Sequence, residues 1–209
     1  MDREFDMRKR SVKILKSLRI PDFTTNVPLA PVEALRTRHE VAQRLLALNV
    51  CGALGHGCPN ALATKWIESE GGWNWFSREE RAFLERGVAP LDFTYCVHAA
   101  WAIAWMLELV DEFRPGKLPP QTLIRAMPDI EKAGSSKSFL SAPKLAERLE
   151  IYQKLDEVRC LHESLRHWRT TPGHPGDITR RLITAKYQRL PFEWICSGIE
   201  WDDLSVAIT

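Results

Sequence analysis

The stretch FTYCVHAAWAIAWMLELV, residues 93–110, decides the fold. Wound as a helix it is apolar on nearly every side, and a helix of that kind belongs in the middle of a protein with others covering it. Its most apolar run, Tyr95–Leu107, is too short to span a bilayer and carries His98. The expectation is a buried central helix over about 93–110.

Helical signals surround it. Val12, Ile14, Leu15 and Leu18 form one stripe of a first helix over Asp6–Leu18, which Pro21 ends. Thr37 with Glu40 makes a capping box, as does Ser77 with Glu80, and each opens a helix. The first of these helices stops at Gly55 and Gly57, the second at Gly87. Pro59 suits the first turn of a short helix through Trp66 and Ile67. Thr122–Met127 is a weak helical turn, and Gly134–Ser138 reads as a flexible loop. From Pro143 to about Arg169, Leu145, Leu149, Tyr152, Leu155, Val158 and Leu161 step by three and four along the longest helix. Asp177 opens a last one running to about Cys196, in which Pro191 predicts a kink or break. No strand-length run alternates with period two, although Gly71–Phe76 allows a brief extended pairing. The expected architecture is all-α: a single-domain bundle of about seven or eight helices over residues 1–209, with at most a minor β hairpin. Residues 1–31 form an N-terminal helix plus an extended connection packed on the bundle.

Composition agrees. A chain of 209 residues, 44% hydrophobic and 27% charged, is long enough to bury a core without staples. A formal net charge of +2 supplies no global field for nucleic acid or an anionic membrane, and neither is expected as a partner. The basic first helix interleaves Asp2, Glu4 and Asp6 and offers no stacking platform, so it reads as a solvated face. Five cysteines make an odd count, and Cys51, Cys96 and Cys196 sit in apolar runs, as in a reducing compartment. Met1–Arg10 is charged and has no apolar signal region, so a cytoplasmic location is expected.

The candidate sites are few. His162 and His167 resemble a zinc-peptidase pair, but five residues turn a helix by about 500° and set the rings about 140° apart. Cys51, His56 and Cys58, with Cys96 and His98, lack the paired spacing of a structural zinc set, and buried thiols are the simpler reading. No metal and no cofactor is expected. Gly52, Gly55 and Gly57 lack the Lys-Ser/Thr of a phosphate loop and mark a helix end. His98 stands in an apolar helix and must find a partner or remain neutral; Glu40 is the first choice for that partner. Glu40 with Arg44, and Asp156 with Arg159, are spaced for ion pairs. Turned inward, that row with Arg189 forms a structural polar network of Glu40, Arg44, Asp156, Arg159 and Arg189. Trp73 and Trp75, in a Gly-rich loop, are the candidate anchors for a partner protein.

Four stretches resemble a bacterial family catalogued only as domain of unknown function 4272. They are Arg10-Ser11, Glu40-Val41-Ala42 to Arg44, the helix Ala99–Leu107 and the C-terminal run from Gln188. The long helix resembles the family through Asp156, Arg159 and His162, and the end through Arg189, Trp194 and Trp201-Asp202-Asp203-Leu204. The chain departs at His98, where the family has an acidic residue, at Glu163, where a Trp follows His162, and at Pro191. The resemblance implies the fold class and, the family having no established activity, no function.

Two functions remain open. One is a non-catalytic cytoplasmic accessory protein, an immunity-type partner for example, that binds another protein. The alternative is a small hydrolase-like enzyme with a pocket of His98, Asp156, Arg159 and His162. A deep pocket holding those groups favours the enzyme, and an exposed apolar patch near Trp73 favours the binder.

Overall fold

The computed structural model describes residues 2–24, 27–30, 35–87, 90–141 and 144–208. Among them are ten α-helices and no strand. Helix α1 spans Asp2–Ser17, α2 Arg38–Gly55, α3 Asn60–Glu70, α4 Arg78–Arg86 and α5 Cys96–Met106. Then follow α6 Thr122–Ala126, α7 Lys137–Ser141, α8 Arg148–Arg169, α9 Ile178–Ile195 and α10 Trp201–Ala207.

Both predicted capping boxes form. Glu40 and Glu80 each return a carboxylate to the backbone N–H of the residue that caps them, Thr37 and Ser77. Gly71 and Gly87 end α3 and α4 in the left-handed region, at φ 66° and 71°, which a residue without Cβ adopts freely.

Five expectations need correction. The predicted central helix 93–110 begins as a 3-10 turn, Leu91–Tyr95, and only then becomes α5. It stops early because Glu108 turns left-handed (φ 54°) and the Leu109 N–H bonds back to the Ala104 carbonyl. The brief extended pairing at Gly71–Phe76 is instead a 3-10 turn, Gly72–Trp75, in which the Trp75 ring lies where a Gly72 Cβ would be, 2.5 Å away. Two short helices raise the number above eight: α7, which begins at the end of the stretch read as a loop, and α10 after the last predicted helix. Helix α8 starts at Arg148, and the predicted start at Pro143 lies outside the described residues. Pro191 neither ends nor interrupts α9, which runs on to Ile195 with Pro191 buried in it.

Helix α5 packs against α2 on one side and α9 on another, while α8 packs on α9 and α1 on α8. Leu45, Leu46, Ile103, Met106 and Phe192 are fully buried where α2, α5 and α9 meet. A smaller cluster of Leu15, Leu161, Leu165 and Ile178 joins α1, α8 and α9. At Gly55 the C-terminal end of α2 meets the 3-10 turn backbone to backbone: a Cβ there would stand 2.5 Å from the Thr94 nitrogen.

The two boxes differ in what surrounds them. Glu40 is exposed, and beyond its cap it pairs with Arg36, at 3.8 Å. Glu80 is buried and takes both terminal nitrogens of Arg44, at 2.7 and 2.5 Å. Burial disfavours the Glu80 charge, but the Arg44 guanidinium outweighs it and holds the carboxyl below its ordinary value. Arg44 also lies 3.8 Å over the Trp201 ring, so one buried ion pair ties together α2, α4 and α10.

Glu80→Ala leaves a buried guanidinium unpaired and is expected to cost about 3–5 kcal/mol. Glu40→Ala, which loses an exposed cap, is expected to cost about 1 kcal/mol. Urea denaturation of the two variants checks the ratio; equal losses would mean that the Arg44–Glu80 pair contributes nothing beyond the cap.

Candidate functional site

Helix α8 presents two polar rows, and they face different neighbours. Asp156 is buried against α1: the Ser11 hydroxyl donates to it at 2.5 Å and the Arg8 guanidinium stands 3.1 Å away. Arg8 also donates to the carbonyls of Thr24 and Val27 at 2.7 and 2.8 Å, which holds the connection after α1 against the bundle.

One turn further on, Arg159 forms a two-pronged pair with Glu193 of α9, its Nε donating at 2.5 Å. The Glu193 carboxylate is shared: Arg189, four residues earlier on α9, donates to it from Nε at 2.8 Å. The Nη1 of Arg189 donates to Glu163 at 2.6 Å and also lies 3.1 Å from the His162 Nδ1. Arg166 completes the chain with a 3.2 Å bond to Glu163. Burial disfavours the Glu193 charge, but the Arg159 and Arg189 guanidiniums hold it below its ordinary value. His162 is pushed down to about 3, first by burial and then by Arg189 and the cations around it. Its ring is therefore neutral, with Nδ1 free to accept from Arg189.

This network forms the floor of a cleft of about 630 Å³. Arg159, Arg166, Arg169 and Arg189 line it against one carboxylate, Glu163, a surplus of three positive charges. Phe23 and His167, their rings 4.0 Å apart, make one wall. The stretch of sequence that supplies these arginines is basic as a whole. Residues 159–189 hold seven Lys and Arg against two Asp and Glu, a net +5 in a chain of net +2, so the rest carries net −3.

The sequence-predicted residues are scattered. His98 is buried on α5, its ring 6.1 Å from Tyr95, which in turn stacks 5.6 Å from Tyr187. Burial pushes the His98 ring down to about 4, and its Nδ1 has no hydrogen-bond partner among the described residues. Glu40, expected to serve it, is an exposed helix cap instead, because a carboxylate three residues into a helix satisfies the cap locally. Glu40 and Arg44 do not pair with each other, nor do Asp156 and Arg159; Glu40 stays with Thr37 and Arg36, and the other three find partners on other helices. Of the five residues expected in one network, only Arg159 and Arg189 meet, through Glu193. Trp75 is buried 6.0 Å from Trp66, and Trp73 is half-buried against Phe76, so the 3-10 turn rolls both inward and presents no pair of exposed anchors.

Arg8, Arg166, Arg169 and Glu193 were not among the expected site residues, and Glu163 stood out only as a departure from the family. The i,i+4 spacing of Arg189 and Glu193, and the excess of basic residues over 159–189, were the signals available. Among the described residues, no three His, Cys, Asp or Glu side chains are grouped to hold a metal, and no helix is long and apolar enough to cross a membrane.

The molecule is thus an all-helical protein with an arginine-lined cleft between α8, α9 and the connection after α1. The family described as domain of unknown function (DUF4272) matches residues 7–204, and the chain belongs to it. No curated protein and no solved structure matches it.

His98 and His162 make stability depend on pH. Both bind protons more weakly folded than unfolded, so their contribution is full above the unfolded value of about 6.5 and is lost as pH falls toward about 4 and 3. Each histidine is expected to add up to about 1.4 kcal/mol per pH unit to that loss between about pH 6 and 5. Denaturant unfolding of His98→Gln and His162→Gln should show shallower slopes there; slopes identical to the parent would place both rings in solvent.

Proposed function

We propose that this chain is a non-catalytic, cytoplasmic binding protein that docks an acidic segment of another protein on its basic face, centred on the arginine-lined cleft. The observation that carries the proposal is the grouping of Arg159, Arg166, Arg169 and Arg189 around one carboxylate. Arginine's planar fork suits carboxylate recognition, and two of these forks are already oriented by Glu193, which lowers the entropy lost on binding. A one-signed cleft also steers an acidic partner toward it.

Several features favour binding over chemistry. The Cys160 thiol beside the network is pushed up to about 12, chiefly by burial and the Asp156 charge, and stays protonated. The His162 lone pair is committed to Arg189. His98 lies at Tyr95 and Tyr187, away from the cleft. All five cysteines are free thiols, in keeping with a reducing compartment. An immunity-type role is the special case in which the acidic segment belongs to a toxin.

A fluorescent glutamate-rich peptide is expected to bind the full chain and to weaken as salt is raised. Reversing two exposed charges, Arg166→Glu with Arg169→Glu, is expected to reduce affinity at least about tenfold in a chain that still melts cooperatively. Equal binding by the variant, or tighter binding of a single-stranded oligonucleotide of the same charge, would overturn the assignment.

A further inference from the structure

We propose that the cleft is a phosphate-monoester site: it takes a phosphorylated side chain within the partner's acidic segment, and the Glu163 carboxylate is the resident anion that the phosphate displaces. This rests on the binding reading above and names the group recognised.

The arginines are linked through two carboxylates that behave differently. Glu193 is buried and holds Arg159 and Arg189 from beneath. Glu163 has a side chain 31% exposed and bridges Arg189 to Arg166 from within the cleft. Glu163 therefore stands where an incoming anion would find those two guanidiniums, while Glu193 is part of the scaffold that aims them.

Donors remain free. Arg159 spends Nε and Nη2 on Glu193, and Arg189 spends Nε and Nη1 on Glu193, Glu163 and His162. Among the described residues, the Nη1 of Arg159 and the Nη2 of Arg189 make no hydrogen bond, and neither is sealed from solvent. Arg166 uses one nitrogen of three. Three guanidiniums, each with unused N–H groups and each tied to its neighbour through a shared carboxylate, make a multi-pronged oxyanion site.

Charge selects the anion. With Glu163 in the cleft and Glu193 beneath it, the four arginines keep a surplus of two, which exceeds what one carboxylate neutralises. A phosphate monoester brings about −1.5 to −2 and three acceptor oxygens, and so satisfies more of the free donors. The cleft is also far larger than a phosphate ion, and its Phe23–His167 wall is a surface for side chain and backbone. These features favour a phosphate carried on a peptide over the free ion.

Calorimetric titration of the full chain with three probes tests this: an acidic phosphoserine peptide, the same peptide with glutamate at the phosphoserine, and inorganic phosphate. The phosphopeptide is expected to bind at least about tenfold tighter than its glutamate counterpart. Glu163→Gln, which keeps the side chain's shape but removes the competing charge, is expected to tighten the phosphopeptide several-fold. Arg166→Gln, at the exposed rim, is expected to weaken it, and a thermal melt of each variant separates misfolding from loss of binding. Equal affinity for the two peptides, or a Glu163→Gln variant that folds and binds no more tightly, would overturn the phosphate site and leave the acidic-partner reading standing. If neither peptide binds, both fall. Inorganic phosphate binding as tightly as the phosphopeptide would overturn the peptide as its source.

Discussion

Helix α5 has no polar face to turn toward water, and the arrangement of the other helices follows from the need to cover it. His98, Ala99, Ala100, Trp101, Ala102, Ile103, Ala104 and Met106 are all buried in eleven residues of helix. Burying that surface is the main favourable term in the fold. It needs a helix on each flank, α2 and α9, whose buried residues are correspondingly spread around them. Small side chains on α5 let these neighbours approach closely, and Gly55 lets the end of α2 come within backbone contact of the turn that precedes α5.

Wrapping a hydrophobic helix does not by itself fix one arrangement, since apolar contact is non-directional. The directional contacts lie one layer further out, in buried charged pairs that each join different helices. Arg44 with Glu80 links α2 to α4, Asp156 with Arg8 links α8 to α1, and Arg159 with Glu193 links α8 to α9. Each charge among them is costly to strand, so helix registers that mismatch the pairs are disfavoured more strongly than apolar mispacking alone would achieve. The third of these pairs opens onto the arginine-lined cleft, and there the structural requirement and the binding proposal meet. The carboxylate that locks α8 to α9 is the same group that orients two of the cleft's arginines.

The charge distribution sets the stretch of chain that carries the cleft apart from the rest. A net charge of +2 conceals a segment of +5 and a remainder of −3. Averages over the chain exclude a global field but are silent on a local one, and it is the local field that an approaching partner meets within a Debye length of about 8–10 Å.

The sequence by itself determined what depends on neighbours along the chain. All-α architecture, a buried central helix, both capping boxes and the glycine stops were legible because helix periodicity and capping act over three or four residues. The helix ends that went wrong are those set by contacts from afar. Gly71–Phe76 coils because Trp75 folds back over Gly72, and α5 ends where Leu109 turns back on it. The site was decided by tertiary structure alone. Arg44 found Glu80 and Arg159 found Glu193, each more than thirty residues away, in preference to the carboxylates three and four positions off. An i,i+4 pair on a helix surface contributes only about 0.3–0.5 kcal/mol, whereas a buried charge left without a partner costs several. The cross-helix partners therefore win, and no spacing within one helix reports which carboxylate on another helix the fold will bring alongside.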